Sequence, residues 1–486
     1  MTIEPRLTRR QVLQASAAVL ALGQGVQAQT TRLVTRRLGR TERQVTTLGL
    51  GGQASIEWPG AGIDPVAIIT KAIGEGVTYL DTSNIYGPSQ TNFGQAFQEL
   101  ALIPGRTDYD AGLRSALFLA TKTHMRYSRY SGAALPYIYR RSDGTGIIGA
   151  VDDVRRSLSQ IFGNGQGSYP AGSYLDLVQI HNLTEIGEVD AIYARLNDAN
   201  PGLTTIGALA GLLDLRDGTN RTGLNPKGER VIRHLGISGH WSSPVLMDCL
   251  QRDSRDILET LLVSLNTNDL NYLNHRYNVL PIARALDLGI IAMKVFGDAT
   301  YYGRKPGFAN DASDVYLKVG SPFLSSKALI QYTLSQPGVA VALTGIGKID
   351  PSNDPTKDQL ISNIQAAQVT TPMSANAQLD LEAKTATLGD TNYFQTDAIN
   401  LTPPRNLQGT RQGQTITLTW DTPYAGNSPL QSYDILRAGS VLTTQTHTAQ
   451  TSTARYQFTE NNPTRTAYTV RVRDSKNRTA QAQVTV

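Results

Sequence analysis

At 486 residues the chain exceeds one ordinary domain, yet it accommodates a (β/α)8 barrel of roughly 250 to 340 residues plus a smaller module. Hydrophobic residues make up 40% and charged residues 17%, the balance of a soluble globular protein, and the net charge of +5 is spread along the chain, so nothing calls for nucleic acid or an acidic membrane surface. The single cysteine, Cys249, excludes an intrachain disulfide and a cysteine-rich metal site, and reads as a buried helix residue.

At the N-terminus, Thr8-Arg9-Arg10-Gln-Val-Leu13 precedes an alanine-rich apolar run to Leu22 and the small-residue site Val26-Gln27-Ala28. Residues 1–28 therefore read as a twin-arginine signal peptide rather than an amphipathic first helix. The run is too short to span a bilayer, and its end has cleavage-site chemistry. The twin-arginine form resembles the bacterial pathway that exports folded proteins, often with a cofactor inside, so the expected location is the periplasm or outside the cell. No other run approaches about 20 apolar residues, so no membrane span is expected in the mature chain.

Between residues 46 and 346, β-rich runs alternate with helical patterns, the signature of a parallel sheet with crossover helices. The runs are Thr46 to Gly52, Val77 to Thr82, Ala116 to Lys122, Leu175 to His181, Ile232 to Ser238, Leu261 to Asn266, Gly289 to Val295 and Val339 to Gly345. Eight such units predict a closed barrel rather than an open sheet, with Arg32 to Val45 as a hairpin that plugs its floor. Asp81, Lys122 and His181 then fall at the C-terminal strand ends, where barrel chemistry is built.

Two connections, 123–147 and roughly 195–230, are longer than barrel loops need and are expected to shape a pocket. The first interleaves Tyr127, Tyr130, Tyr137 and Tyr139 with Arg126, Arg129, Arg140 and Arg141. It suits stacking on a sugar or aromatic substrate or holding an anion; the plainer reading is a loop packed on its own rings.

Beyond about residue 373 come one helical stretch, Ala375 to Leu388, and a linker at Thr402-Pro-Pro404. The runs Thr415 to Trp420, Ser432 to Arg437, Arg455 to Phe458, Tyr468 to Arg473 and Gln481 to Val486 then alternate apolar and polar residues at sandwich spacing. This stretch resembles a fibronectin type III domain through Pro404, Trp420, Tyr433-Asp-Ile-Leu-Arg437 and Ala467-Tyr468-Thr-Val-Arg-Val-Arg473, with Trp420 and Tyr468 as core residues. Such modules serve as spacers, adhesion units and interaction units alike, so these residues do not decide its role, and contact with a cell-surface polymer or protein is one of the options.

The strongest chemical signal is Gly76-Val-Thr-Tyr-Leu-Asp81-Thr-Ser-Asn-Ile-Tyr86-Gly87, joined by Ala120-Thr-Lys122 and Val178-Gln-Ile-His181. Carbonyl reduction needs hydride at carbon, a proton at oxygen and a wall to hold the carbonyl. Tyr86 suits the acid, since a lysine ammonium such as Lys122 lowers a phenol pKa that is otherwise near 10. Asp81 supplies the counter-charge a buried lysine needs, and His181 suits a hydrogen bond to the carbonyl oxygen. Taken singly, Asp81 reads equally as a helix cap, Lys122 as a surface cation, His181 as a core histidine and Tyr86 as a loop ring. Their shared order and placement argue against that reading. His124, His240 and His275 have no partners at metal-ligand spacing, so no metal is expected.

With Asn182 following His181, these segments resemble the Asp-Tyr-Lys-His tetrad of the aldo-keto reductase superfamily, and the resemblance runs from about Arg32 to Ser374. Leu235-Gly-Ile-Ser238-Gly-His240, Gly289-Ile-Ile-Ala-Met293-Lys294 and Gln359-Leu-Ile-Ser-Asn363 follow in the family's order. The resemblance implies a TIM barrel that binds NADP or NAD without a Rossmann domain, in keeping with the lack of a G-x-G-x-x-G motif. It implies cofactor contacts from Ser238, Asn266, Met293, Lys294, Lys348, Gln359 and Asn363. Three positions depart from the family pattern. Ser238-Gly-His240 stands where a Ser-Asn pair holds the nicotinamide amide, Met293 where an aromatic ring stacks, and Gln359 where an arginine grips an adenosine 2'-phosphate, with Lys348 and Lys357 nearby.

The expected organisation is residues 1–28 signal peptide, 32–374 barrel, 375–402 helix and linker, and 403–486 fibronectin-like sandwich. The expected function is an exported NAD(P)(H)-dependent oxidoreductase interconverting an aldehyde or ketone and its alcohol, with a sugar among the candidate substrates. The contrasting reading is a non-catalytic surface or glycan-binding protein with a degenerate barrel and a fibronectin-like interaction module.

Overall fold

The computed structural model describes residues 33–129, 134–139, 149–272, 274–389, 400–461, 463 and 466–486. The signal-peptide reading of residues 1–28 therefore lies outside the described residues, as do Tyr130, Arg140 and Arg141. A hairpin of β1 (Thr35–Arg37) and β2 (Gln44–Thr46) opens the described chain. Eight parallel strands follow: β3 (Leu48–Gly51), β4 (Tyr79–Asp81), β5 (Phe118–Thr123), β6 (Leu175–Ile180), β7 (Ile232–Gly239), β8 (Thr260–Ser264), β9 (Gly289–Met293) and β10 (Val339–Gly345). They pair in chain order, and β10 closes the barrel on β3, with Gly345 opposite Gly51.

Every residue of β4, β5, β6, β8 and β9 is buried, because each strand faces the barrel interior on one side and the helix ring on the other. The helices earn their places with apolar stripes: Pro65–Gly74 buries Val66, Ile68, Ile69, Ala72 and Ile73, while Asp64 caps its first turn through Val66 N and Ala67 N. Cys249 is wholly buried on the helix Ser243–Arg252.

The barrel interior packs Tyr79, Phe118, Leu177, Ile291 and Val341 with Leu38 and Val45, so the hairpin does plug the floor. Arg36 Nη1 ties it there by donating to the carbonyls of Leu334 (2.8 Å) and Val339 (2.6 Å). Gly39 has φ +49°, and a Cβ on it would lie 2.2 Å from Gly289 N, so no other residue fits that approach.

The long connection 195–230 contains a helix, Ala208–Asp217, whose residues Ala208 to Leu215 are all buried against the barrel wall. Of the tyrosine-rich loop, Tyr127 is buried and bridges to Gly207, and Tyr139 and Arg126 pack inward rather than presenting an open stacking surface.

The helix Ala375–Ala386 leads toward seven antiparallel strands: β11 (Arg405–Gln412), β12 (Thr415–Asp421), β13 (Leu430–Arg437), β14 (Ser440–Thr446), β15 (Tyr456–Asn461), β16 (Ala467–Asp474) and β17 (Thr479–Thr485). They form a three-stranded sheet, β11-β12-β15, and a four-stranded sheet, β14-β13-β16-β17. Ile416, Leu418, Trp420, Tyr433, Ile435, Tyr468, Val470 and Val472 fill the core between them. β11 and β14 have no counterpart in the sequence reading, because their residues are largely exposed and polar and carry little apolar alternation. This module docks on the barrel through Asn274 and Asn278, which bond to the Ala425–Gly426 backbone, and Gln251, which bonds to the Gln450 carbonyl.

Candidate active site

β4 ends at Asp81 and the chain turns at once through Thr82 to Pro88, a segment whose small polar residues hold it in place. Thr82 Oγ1 pairs with Ser89 Oγ at 2.8 Å, and Asn84 Nδ2 donates to Asp153 O (2.9 Å) and Ser157 Oγ (2.7 Å) on the helix Ala150–Phe162. Gly52 presses against the same turn, and a Cβ there would meet Asp81 O and Ser89 Oγ at 2.6 Å. The turn thus fixes Tyr86, which is 9% exposed, over the barrel mouth.

Lys122, on β5, is 1% exposed; its Nζ pairs with Asp81 Oδ1, donates to Thr82 O at 3.0 Å, and lies 4.8 Å from the Tyr86 ring centroid. Burial pushes the Asp81 carboxyl up and the Lys122 amine down, and in each case the attraction between the two opposes it. Asp81 Oδ2 is buried with no hydrogen-bond partner among the described residues. His181, directly after β6, sets its ring 5.7 Å from that of Tyr86 at 82°, with Nδ1 3.3 Å from Ser83 Oγ. Burial first, and then the Lys122 cation, hold His181 well below the usual imidazole range, so it is neutral at pH 7. The structure therefore brings Asp81, Tyr86, Lys122 and His181 together.

Other residues around the four were not assigned from sequence. The His124 ring lies 5.6 Å from that of His181 and 4.2 Å from that of Tyr139, and its pKa falls to about 3 by burial. Tyr139 Oη bonds Glu188, which also takes Arg126 Nη2 at 2.8 Å, and the same Arg126 Nη2 holds His181 O at 2.9 Å. Glu57, buried beside the Tyr86–Gly87 turn, accepts from Gln53 Nε2 at 3.0 Å and is pushed up to about 7 by burial. No spacing rule signals Glu57; only the fold reveals its burial.

A cleft opens from Asp81, Tyr86 and Lys122 toward the helix Gln359–Ala366. Met293, Lys294, Gln359 and Asn363 line it, together with Gly51, Gly52, Gly345 and Gly347. One wall is the segment 296–320, which contributes Phe296, Tyr302 and Tyr316. Gln359 joins that wall to the segment after β10: Nε2 donates to Tyr316 O (2.9 Å) and Lys318 O (2.7 Å), and Oε1 accepts from Gly347 N (2.6 Å) and Lys348 N (3.1 Å). Asn363 Nδ2 donates to Thr344 Oγ1 at 3.3 Å, and Lys294 Nζ lies 3.3 Å from Asp298.

Ser238, Asn266 and Lys348 are not among the cleft lining. Ser238 Oγ accepts from Asn182 N (2.9 Å), tying β6 to β7. Asn266 donates to Lys294 O (2.9 Å) and accepts from Asn268 N (2.9 Å) and Tyr301 Oη (2.7 Å), bracing the loop after β8. Lys348 is exposed, and Lys357 pairs with Asp354 at 3.4 Å.

Residues 48–314, more than half of the chain, match the aldo/keto reductase family model. The chain belongs to the aldo/keto reductase family. An aldo/keto reductase from Klebsiella pneumoniae, crystallised with NADP and acetate, is 18% identical, with 72% of this chain and 95% of that one covered at a TM-score of 0.40. One from the silkworm Bombyx mori, crystallised with NADP, is 15% identical, with 75% and 94% covered at a TM-score of 0.44. A search of curated proteins gave no match. Within this aldo/keto reductase chain the family match takes in Asp81, Tyr86, Lys122 and His181, while β10, Gln359 and Asn363 lie beyond it.

Proposed function

We propose that this protein is an exported NAD(P)(H)-dependent oxidoreductase that interconverts an aldehyde or ketone and its alcohol, with Tyr86 as general acid and base. The observation that carries the reading is Lys122 Nζ, buried, paired with Asp81 and 4.8 Å from the Tyr86 ring centroid. A phenol near pKa 10 is a poor acid at neutral pH, and an adjacent cation stabilises its phenolate and eases proton release. Asp81 favours the cationic form of Lys122 and opposes the downward push of burial on its amine. Neutral His181 orients the carbonyl oxygen by a hydrogen bond without adding a second positive charge beside Lys122.

The cleft's residues fit an extended polar cofactor. Glycines line it where a Cβ would collide: one on Gly347 would lie 2.3 Å from Tyr316 O. Met293 offers an apolar wall, and Lys294 and Asn363 offer polar groups. When bound, a nicotinamide dinucleotide supplies the hydride. Gln359 presents no positive charge to a 2'-phosphate, which leaves NAD and NADP both admissible. Export is supported by the twin arginines Arg9 and Arg10 ahead of the apolar run. A fibronectin type III reading of residues 403–486 is supported by the three-plus-four strand arrangement around Trp420 and Tyr468.

One preparation tests both parts. The full chain, produced in a bacterium and fractionated, is expected in the periplasm or medium, to carry or bind a nicotinamide nucleotide, and to oxidise its reduced form when given aldehydes. Confinement to the cytoplasm contradicts export. Failure to bind either nucleotide contradicts the oxidoreductase reading and favours a binding protein.

A further inference from the structure

A short chain of hydrogen bonds runs from the C-terminal sheets to the wall of the active site. It begins at Asn274, buried and held at φ 51°, whose Nδ2 donates to the carbonyls of Ala425 and Gly426, both at 2.5 Å. Asn278, one helical turn on, donates to Ala425 O at 3.1 Å and accepts from Ala425 N at 2.8 Å, so the C-terminal backbone is gripped on both faces.

The next residue, His275, is fully buried. Its backbone N–H and that of Arg276 donate to the Asp269 carboxyl, each at 3.0 Å, which fixes the start of this helix. Burial brings the His275 pKa down to about 4, so the ring is neutral with one proton. That proton lies on Nε2, which donates to the His240 carbonyl at 3.1 Å, while Nδ1 accepts from Ser243 Oγ at 2.8 Å. His240 follows β7; its Nδ1 donates to Asn182 Oδ1 at 2.6 Å, and its ring lies 6.4 Å from that of His181. Asn182 directly follows His181.

We propose that the C-terminal sheet module is a working part of the active site: by holding Asn274 it fixes His275, which sets the His240 loop and, through Asn182, the position of His181. The inference rests on the reading that His181 orients the carbonyl. Asn274 and His275 are positioning residues, since neither lines the cleft. The module also meets the barrel away from Asn274 and Asn278, where Gln251 Nε2, in the last turn of the helix Ser243–Arg252, donates to Gln450 O at 2.9 Å. Asn274 directly precedes His275, whereas Gln251 lies at the far end of its helix from Ser243, so comparing the two separates positioning from simple docking.

The test compares Asn274→Gly with Gln251→Ala in the full chain. Glycine suits φ 51°, so Asn274→Gly removes the amide bonds without adding backbone strain. Asn274→Gly is expected to lower kcat for aldehyde reduction about five- to tenfold with the nucleotide KM unchanged, because a small misplacement of an orienting group acts on the chemical step. Gln251→Ala is expected to keep kcat. Equal kcat in the two variants overturns the inference. The second link is read from His275→Leu and His275→Gln: glutamine restores an N–H toward the His240 carbonyl and is expected to recover most of the kcat lost in leucine. Glutamine no better than leucine overturns it. Tyr86→Phe, measured alongside, separates the two levels: a fully active Tyr86→Phe defeats the chemical reading, whereas an inactive Tyr86→Phe with a fully active Asn274→Gly defeats this inference alone.

Discussion

Asp81 and Lys122 show why the four residues that cluster at the strand ends are readable from sequence while their neighbours are not. Two full charges buried at adjacent strand ends survive only as a pair, since removing either one leaves the other uncompensated at a cost of about 3 to 5 kcal/mol. Such residues in mid-motif announce themselves. Glu57 does not: a lone glutamate in a glycine-rich loop reads as surface, and only the fold tucks it beside Gly87. Its folded pKa of about 7 stands above the unfolded value near 4.5, so its stabilising protonation is complete below about pH 4.5 and is lost as pH rises through 7. Glu57→Gln escapes that loss. The Tm gain of Glu57→Gln over the parent is therefore expected to be larger near pH 8 than near pH 5; an equal gain at both contradicts the assignment.

Among elements, the eight barrel strands were legible because they are short apolar runs with helices between them, and their ends fixed where Asp81, Lys122 and His181 would stand. The helix Ala208–Asp217 hid inside a long glycine-bearing connection. The segment 296–320 was harder still. Positive φ at Lys294, Gly297, Asp298 and Ala299 bends the chain into irregular turns that no hydrophobic period encodes. Its attachment depends on Gln359, whose four bonds join Tyr316 and Lys318 to Gly347 and Lys348. Gln359→Leu is expected to loosen this wall and raise the nucleotide dissociation rate about tenfold, while the single-turnover rate at saturating nucleotide stays unchanged. Stopped-flow fluorescence reads both rates. Unchanged dissociation contradicts the wall's role in retention, and a matching fall in the single-turnover rate places Gln359 in the chemistry instead.

Across the whole molecule, the succession of a barrel and all-β sheets was legible from the change of pattern along the chain, but their docking was not. The contact uses backbone carbonyls of Ala425 and Gly426 against two asparagines, a pairing with no compositional signature. The proposed positioning of His181 through this contact therefore belongs to the full chain rather than to the barrel alone. The proposed chemistry depends on Tyr86 delivering the proton. The direct test is Tyr86→Phe, with nucleotide affinity and single-turnover aldehyde reduction measured on the same preparation. Affinity close to that of the parent, with reduction slowed by about a hundredfold or more, is the predicted result. Reduction at the parent rate would contradict the mechanism.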